Sequence, residues 1–422
     1  MARQKQRTIS EADRKAKSEK IKNSKRETAL RRADMHPVTY HIKITSGKLS
    51  NRQKESLFRL FLEAKWLRNA AIANNINSIH YAKDCKYKVD VKVGDSYEVR
   101  DLKNLGSQLS QAVIQELNAN KSALKALKAN GHKVGKINYS KEVTAIGLNQ
   151  FGITYKLDFE KNKVHIQGIG WLHARGLDQL SPDGDFASAK LLAKPDGYYV
   201  AVTCYEYPNS GGSNSSRDIG IDINVGRPIV LSNRREIAAY FEESDRLKGL
   251  QCKLARQEKG SNRYVKTCKL IQREHQKIEN KKDDMARKAV AYLLDNFQTI
   301  YFQDENISSW KRFFSGTKGA RKIQHGILGR VKELLKEAMK HTPRIVMLDK
   351  WVPTTAWCRM CHQKTPHGLS KRSYECAHCG WTHPDRDVAS AENMILIGKM
   401  LDTYLNPPVG HRGTLVEGLT TA

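Results

Sequence analysis

The chain has 422 residues, 73 Lys+Arg against 44 Asp+Glu, a formal net charge of +29 and 39% hydrophobic residues. That length fits two to four domains of roughly 100–200 residues with buried cores. The charge excludes a cationic partner and calls for a polyanion, whose phosphates release condensed cations when neutralised.

The same charge fits a ribosomal or chromatin protein, so motifs have to decide. The sequence contains no apolar run of about 18 residues and no apolar signal core near its start, so no membrane partner and a cytoplasmic location are expected. In a reducing cytosol the eight cysteines are not a disulfide framework.

Twelve Lys/Arg and five acids in residues 1–35 leave almost nothing to bury, and residues 1–36 read as a basic, solvated, mobile or partly helical arm. Order begins where Val38, Tyr40, Ile42 and Ile44 alternate as a half-buried strand. Ser50 with Gln53 is a capping-box pattern, and Leu57, Leu60, Phe61, Ala64, Leu67 and Ala71 follow at helical spacing. Helical signals run on to about residue 129. From about 148 the period becomes two: Ile153, Tyr155, Leu157 and Phe159, a turn at Lys161-Asn162, then Val164 and Ile166. Pro195-Asp196-Gly197 marks a second hairpin.

One strand, a helical insertion and several strands predict a β-barrel domain (37–48 and 130–207) carrying a helical lobe (49–129). The Gly/Ser/Asn-rich stretch 208–216 reads as the linker between domains. Beyond it the pattern is strand–turn–strand (219–232), a long charged helical stretch (236–296), a strand (298–303), a helix (322–340), a strand (344–350) and a last helix from near 386. Mixed elements of this kind predict an α/β layer over 217–352 and 384–405, with a tail from 406 to 422. The fold class expected is therefore multidomain α/β.

Three acidic positions stand out against this pattern. Asp222 lies inside the apolar run Ile219-Gly-Ile-Asp-Ile-Asn-Val225, where a carboxylate costs several kcal/mol unless a metal or a cation compensates it. Asp304 and Glu305 follow Thr299-Ile-Tyr-Phe-Gln303 at a strand end, and only one can face a shared site because successive strand residues point opposite ways. Asp385 and Asp387 open the last helix, about 200° apart, so again one of the two faces inward. Carboxylates in the order strand, strand, helix are what a ribonuclease-H-like nuclease uses to hold hard, oxygen-seeking Mg²⁺.

Cys358-x2-Cys361 and Cys376-x2-Cys379, with fourteen residues between the pairs, predict a closed, structural four-thiolate Zn²⁺ site, a zinc ribbon over 353–383. His362, His378 and His383 lie near enough in sequence to be alternative ligands. Basic residues at even intervals, Lys253, Arg256, Lys259, Arg263, Lys266, Lys269, Arg273 and Lys277, are suited to track a phosphate backbone without reading bases. Arg386, beside the ribbon, is a further candidate phosphate contact.

The joint pattern resembles the TnpB transposon-associated nucleases and their miniature relatives among type V CRISPR effectors. It is carried by Ile219-Gly-Ile-Asp222, Gln303-Asp-Glu305-Asn-Ile, Pro353-Thr-Thr-Ala-Trp-Cys-Arg-Met-Cys361, Tyr374-Glu-Cys-Ala-His-Cys-Gly380 and Asp385-Arg-Asp387-Val-Ala-Ser-Ala-Glu-Asn393. Together with the basic helices these motifs cover most of residues 217–400. The resemblance selects Glu305 and Asp387. It implies a RuvC-like centre in which Asp222, Glu305 and Asp387 hold two Mg²⁺ ions. It also implies a wedge-like barrel and helical lobe gripping a guide RNA, and a target of double-stranded DNA with its displaced single strand. A monomer or homodimer in a bacterial or archaeal cytoplasm, acting at the nucleoid, completes the expectation. Asn224 stands where many relatives have Gly, and Ala389 where many have Asn. A guided DNA-binding protein that does not cut, and a zinc-ribbon RNA-binding component of a ribonucleoprotein, are the competing readings.

Overall fold

In the computed structural model, which describes residues 11–207, 216–225, 227–241, 244–368 and 371–405, the chain divides into two units, Met1–Pro208 and Asn209–Ala422. Residues 1–10 of the expected arm, nearly all of the expected linker (208–215) and the tail 406–422 lie outside the described residues.

The first unit begins with a polar helix, α1 (Glu11–Arg31). Its end is tied down: Arg31 and Arg32 both reach the Asp185 carboxylate, at 3.0 and 2.7 Å. Strand β1 (His36–Ile44) follows. The predicted capping box starts α2 (Asn51–Ala73), with Ser50 Oγ accepting from the Gln53 N–H and the Gln53 side chain accepting from the Ser50 N–H.

Then come α3 (Tyr81–Asp84), the hairpin β2 (Lys88–Val93) and β3 (Ser96–Asp101), and α4 (Ser107–Ala129). That hairpin breaks the continuous helical lobe expected from the sequence. Its signal was the alternation Val89, Val91, Val93 before the turn at Gly94-Asp95.

The remaining strands are β4 (Ala145–Leu148), β5 (Tyr155–Asp158), β6 (Lys163–Ile166), β7 (Gly170–Arg175), β8 (Asp185–Lys194) and β9 (Gly197–Glu206). The order β4-β8-β9-β1-β7-β6-β5 makes one seven-stranded antiparallel sheet. Its end strands β4 and β5 do not pair with each other among the described residues. Inward residues of the strands (Ile42, Ile44, Ile146, Val164, Val200) and of α2 and α4 (Leu57, Leu60, Leu109, Ile114) form a single core. Glu63 is buried there at 2% exposure, yet fully used: its carboxylate accepts from the backbone N–H groups of Asn104 and Leu105 at 2.8 and 2.9 Å.

The second unit is built on a five-stranded sheet. Its strands are β10 (Ile219–Asp222), β11 (Ile229–Leu231), β12 (Glu236–Ile237), β13 (Ile300–Gln303) and β14 (Ile345–Leu348), in the order β12-β11-β10-β13-β14. β11 runs antiparallel to its neighbours β10 and β12, whereas β13 and β14 run parallel to β10. Parallel neighbours need helical crossovers. The segment between β12 and β13 supplies α5 (Asp245–Ala255) and the 35-residue α6 (Asn262–Asn296), and that between β13 and β14 supplies α7 (Ile307–Phe313), α8 (Lys318–His325) and α9 (Leu328–Met339). The two long helices expected from the sequence are therefore broken, at Gly260-Ser261 and at Gly326. Ser261 caps α6 by accepting from the Tyr264 N–H.

After β14 comes the small hairpin β15 (Tyr374–Glu375) and β16 (Thr382–His383), then α10 (Arg386–Leu405). Strand alternation assigns the two faces. Ile219, Ile221, Ile300, Phe302 and Ile345 pack with α6 and α9, while Tyr301 and Leu348 pack with Met394 and Ile397 of α10. Gly220 lets α10 approach, since a Cβ there would collide with the Ala391 carbonyl oxygen. We therefore predict that Gly220→Ala destabilises this unit by about 1–3 kcal/mol through overpacking, read as a lower urea midpoint.

Candidate metal and nucleic-acid sites

The parallel pairing places the ends of β10 and β13 on one edge of the sheet. Asp222 is the last residue of β10 and shares the face of Gly220, towards α10. Alternation carried past the end of β13 separates the two acids that follow it. Asp304 turns to the other face, where Lys332 and Lys336 of α9 hold its carboxylate at 2.6 and 2.7 Å and keep it well below its ordinary range. Glu305 is half-buried, and burial pushes its carboxyl up against the opposing pull of the Lys332 charge.

At α10 the two candidates also divide. Asp385 is the cap: its Oδ1 accepts from the N–H groups of Asp387 and Val388 at 2.9 and 3.3 Å. Asp387 is 1% exposed and faces inward.

Asp222 is pushed up to about 7, first by burial, then by the neighbouring Asp387 carboxylate, with a smaller push from Glu305. Donors from the Asn224 side chain and from Ser390 Oγ (3.2 Å) pull the other way. A buried carboxylate pushed up by its acidic neighbours favours a cation beside it. Arg227 supplies one cation, paired with Asp387 and 3.6 Å from Asp385. Hard oxygen donors of this kind suit Mg²⁺, which Asp222, Glu305 and Asp387 would hold. As they stand, the three acids are less tightly gathered than the thiols described below, which are the group close enough to share an ion among the described residues.

Sequence reasoning missed the hydrogen-bond chain behind Asp222. Ser390 Oγ lies 3.1 Å from Thr354 Oγ1, and Thr354 donates to Gln303 Oε1 at 3.1 Å. Gln303 Nε2 in turn donates to the carbonyls of Asp349 (3.0 Å) and Val352 (2.7 Å). Asn393 donates to the carbonyls of Thr354 and Trp357, both at 2.9 Å. The signal was available: Ser390 stands one helical turn after Asp387, on the same face of α10. Removing its hydroxyl in Ser390→Ala deprives a buried carboxylate of a donor worth about 1.5–3 kcal/mol. The Asp222 carboxyl should then be pushed further up, read as a steeper fall of the urea midpoint with rising pH than in the wild type.

The four cysteine sulfurs all lie within 4.8 Å of one another, with Cys358–Cys379 at 3.6 Å and Cys361–Cys376 at 3.5 Å. A tetrahedral Zn²⁺ with bonds of about 2.3 Å needs sulfurs about 3.8 Å apart, so the set fits. Both pairs form the same knuckle. The residue after the second cysteine, His362 or Gly380, has positive φ (59° and 73°), and its N–H donates to the carbonyl of the first cysteine. Burial opposes ionisation of Cys376, yet N–H groups of Cys379 and His378 hold its thiol low, as a metal-binding thiolate requires. His383 is buried, with its Nδ1 accepting from the Asp385 N–H at 3.1 Å.

The basic residues from Lys253 to Lys277 are all exposed along α5, α6 and the turn between them. Lys253, Arg256, Lys259, Arg263, Lys266 and Lys269 make no ion pair with a described residue, whereas Lys277 pairs with Glu274 at 3.4 Å. Arg386 is a correction. It is 6% exposed and donates to the Gly368 carbonyl at 2.9 Å, so it braces the ribbon instead of meeting phosphate.

No family model matches the chain. Among curated proteins it is 26% identical, over 48% of its own length and 50% of the relative's, to the "Putative RNA-guided DNA endonuclease" of Streptomyces pristinaespiralis. It is 24% identical, over 58% of its length and 64% of the relative's, to the protein of the same description called InsQ in Escherichia coli K12. The match spans about half to two thirds of these relatives. Two solved structures are also similar to this chain: a Cas12f1–sgRNA–target DNA complex (TM-score 0.42, 11% identity, 86% of this chain and 99% of that one) and a CRISPR–Cas12f ternary complex (TM-score 0.27, 14% identity, 81% of each). Among the described residues no helix is long and apolar enough to cross a membrane.

Proposed function

We propose that this chain is an RNA-guided DNA endonuclease. It binds a guide RNA and cleaves complementary DNA next to a short motif, using Asp222, Glu305 and Asp387 in a RuvC-like centre. The observation that carries the reading is the buried Asp222 beside Asp387, pushed up to about 7. So costly an arrangement is resolved by divalent cations. Bound Mg²⁺ ions supply an activated water and charge stabilisation at the leaving oxygen. The chain's own residues do the rest. Ser390 and Asn224 orient Asp222, Lys332 and Lys336 hold Asp304 on the other face, and Arg227 holds the Asp387 carboxylate.

The sheet of the first unit (37–48 and 130–207) acts in this reading as a wedge-like barrel. Residues 49–129 form a recognition lobe, and the ribbon (353–383) interrupts the nuclease layer (217–352 and 384–405). Guide RNA and the target duplex bind along basic surfaces such as Lys253 to Lys269, through backbone and shape, while base pairing supplies sequence specificity.

The test is to express the protein with its native flanking DNA and sequence the RNA that copurifies. The particle is then incubated with a matching duplex and Mg²⁺. A discrete RNA with a variable end and guided cutting are expected. Random RNA fragments, or uncut matching DNA, would replace this reading with that of a zinc-ribbon RNA-binding protein or a non-cutting guided binder.

A further inference from the structure

Three neighbouring parallel strands, β10, β13 and β14, end on the same edge of the second sheet. The first ends in Asp222 and the second leads to Glu305. The third leads to an indole: Trp351, 81% exposed, three residues past Leu348. A single exposed aromatic is ordinary when it rides on a loose loop. This one does not. The Trp351 N–H donates to Asp349 Oδ1 at 2.8 Å, and the Val352 N–H to the Asp349 carbonyl at 3.1 Å. Gln303, 5% exposed, clamps both ends of the turn through the carbonyls of Asp349 and Val352. The same Gln303 accepts from Thr354 Oγ1, which lies 3.1 Å from the Ser390 hydroxyl that reaches Asp222, so one cluster of polar side chains stands behind both the aromatic turn and the carboxylate. Among the described residues only Lys350 covers the ring, its ammonium 4.8 Å from the ring centre.

We infer that Trp351 is a stacking platform for an unpaired base of the DNA strand being cut. This rests on the nuclease reading above and deepens it. A large aromatic face on a hydrogen-bonded turn, beside a cation at the edge that carries the acids, matches what single-stranded nucleic acid requires: π-faces for bases and positive charge for phosphates. A base inside a duplex is already stacked on both sides, so the platform selects a strand that reaches the site unpaired. Gln303 is its positioning residue.

The experiment measures binding of a short single-stranded oligodeoxynucleotide to the full chain in EDTA, at salt high enough to suppress phosphate contacts. A series of oligonucleotides each carries one abasic position. Trp351→Ala is expected to bind about tenfold more weakly, the loss of one base–aromatic stack, and Trp351→Phe to retain most of the affinity. One abasic position should weaken the wild-type protein by a similar factor and cost Trp351→Ala nothing further. A merely structural role would leave the two losses additive. Equal binding by Trp351→Ala, or additive losses at every position, would overturn the inference. Guided cutting is scored in parallel. Guided cutting with unaltered Trp351→Ala binding removes the platform and leaves the nuclease reading. Weakened binding without guided cutting does the reverse.

Discussion

Asp222→Ala is expected to lower cutting by roughly a thousandfold or more, since a lost ligand forfeits several kcal/mol of metal-borne charge stabilisation, while RNA binding is unchanged in a filter or gel-shift assay. Glu305→Ala should behave alike. Cutting at the wild-type rate by either variant would remove the assignment of the site. The burial that makes Asp222 informative also gives a second readout without any metal. The folded, ion-free protein keeps a proton on Asp222 up to about pH 7, whereas an ordinary aspartate releases it near 3.8. Between those values the folded state binds more protons than the unfolded one. Stability from this group is therefore present at low pH and lost as pH rises from about 4 to 7, by at most about 4 kcal/mol. Asp222→Asn removes that titration, so urea midpoints in EDTA should fall less steeply with pH over this window than in the wild type. Added Mg²⁺ should steepen neither curve below pH 5, where Asp222 is protonated, and should stabilise only the wild type near neutrality.

What could be read from the sequence followed from local chemistry. The capping box at Ser50 and Gln53, the alternation within β1 and the knuckle spacing of the cysteines depend on residues a few positions apart, and each reappears in the structure as written. At the acids, local chemistry stopped one step short. Alternation says that Asp304 and Glu305 face opposite ways, but not which face carries α10. Only Lys332 and Lys336, about thirty positions downstream on α9, show where Asp304 goes. Asp385 and Asp387 are likewise told apart by the cap hydrogen bonds of the helix they open.

The rest is non-local. β1 sits between β7 and β9, pairing with residues more than 120 positions away, and nothing in the composition of a strand specifies such partners. The hydroxyl chain from Ser390 through Thr354 to Gln303 joins three distant segments by unremarkable residue types. Arg386 failed for the opposite reason. Beside a basic ribbon it read as a phosphate contact, but the first turn of α10 is buried and the Gly368 carbonyl takes its guanidinium.

That burial makes the ribbon part of the support of the acid site, and gives zinc a consequence beyond its own module. Cys361→Ser is expected to lower zinc from about one ion per chain to nearly none, because a closed site has no spare ligand. Free energy of metal binding in such modules is folding free energy, on the order of 10 kcal/mol or more. No apolar core of that size replaces it here, since the ribbon's buried cluster is little more than Cys358, Tyr374 and Cys376 with Trp381 packed against them. The ribbon should therefore unfold locally, with a change in near-ultraviolet circular dichroism from Trp357 and Trp381. Its first residues are the partners of α10: Thr354 meets Ser390, and the carbonyls of Thr354 and Trp357 receive Asn393. Their loss frees Ser390 and Gln303 and loosens the carboxylate they steady. Cutting should thus fall roughly ten- to a hundredfold, the range for lost outer-shell support, with a raised Mg²⁺ requirement and RNA binding retained. Unchanged zinc content in Cys361→Ser would refute the ligand set. Zinc loss with an unchanged Mg²⁺ requirement would instead show that the ribbon and the acids fold as independent parts.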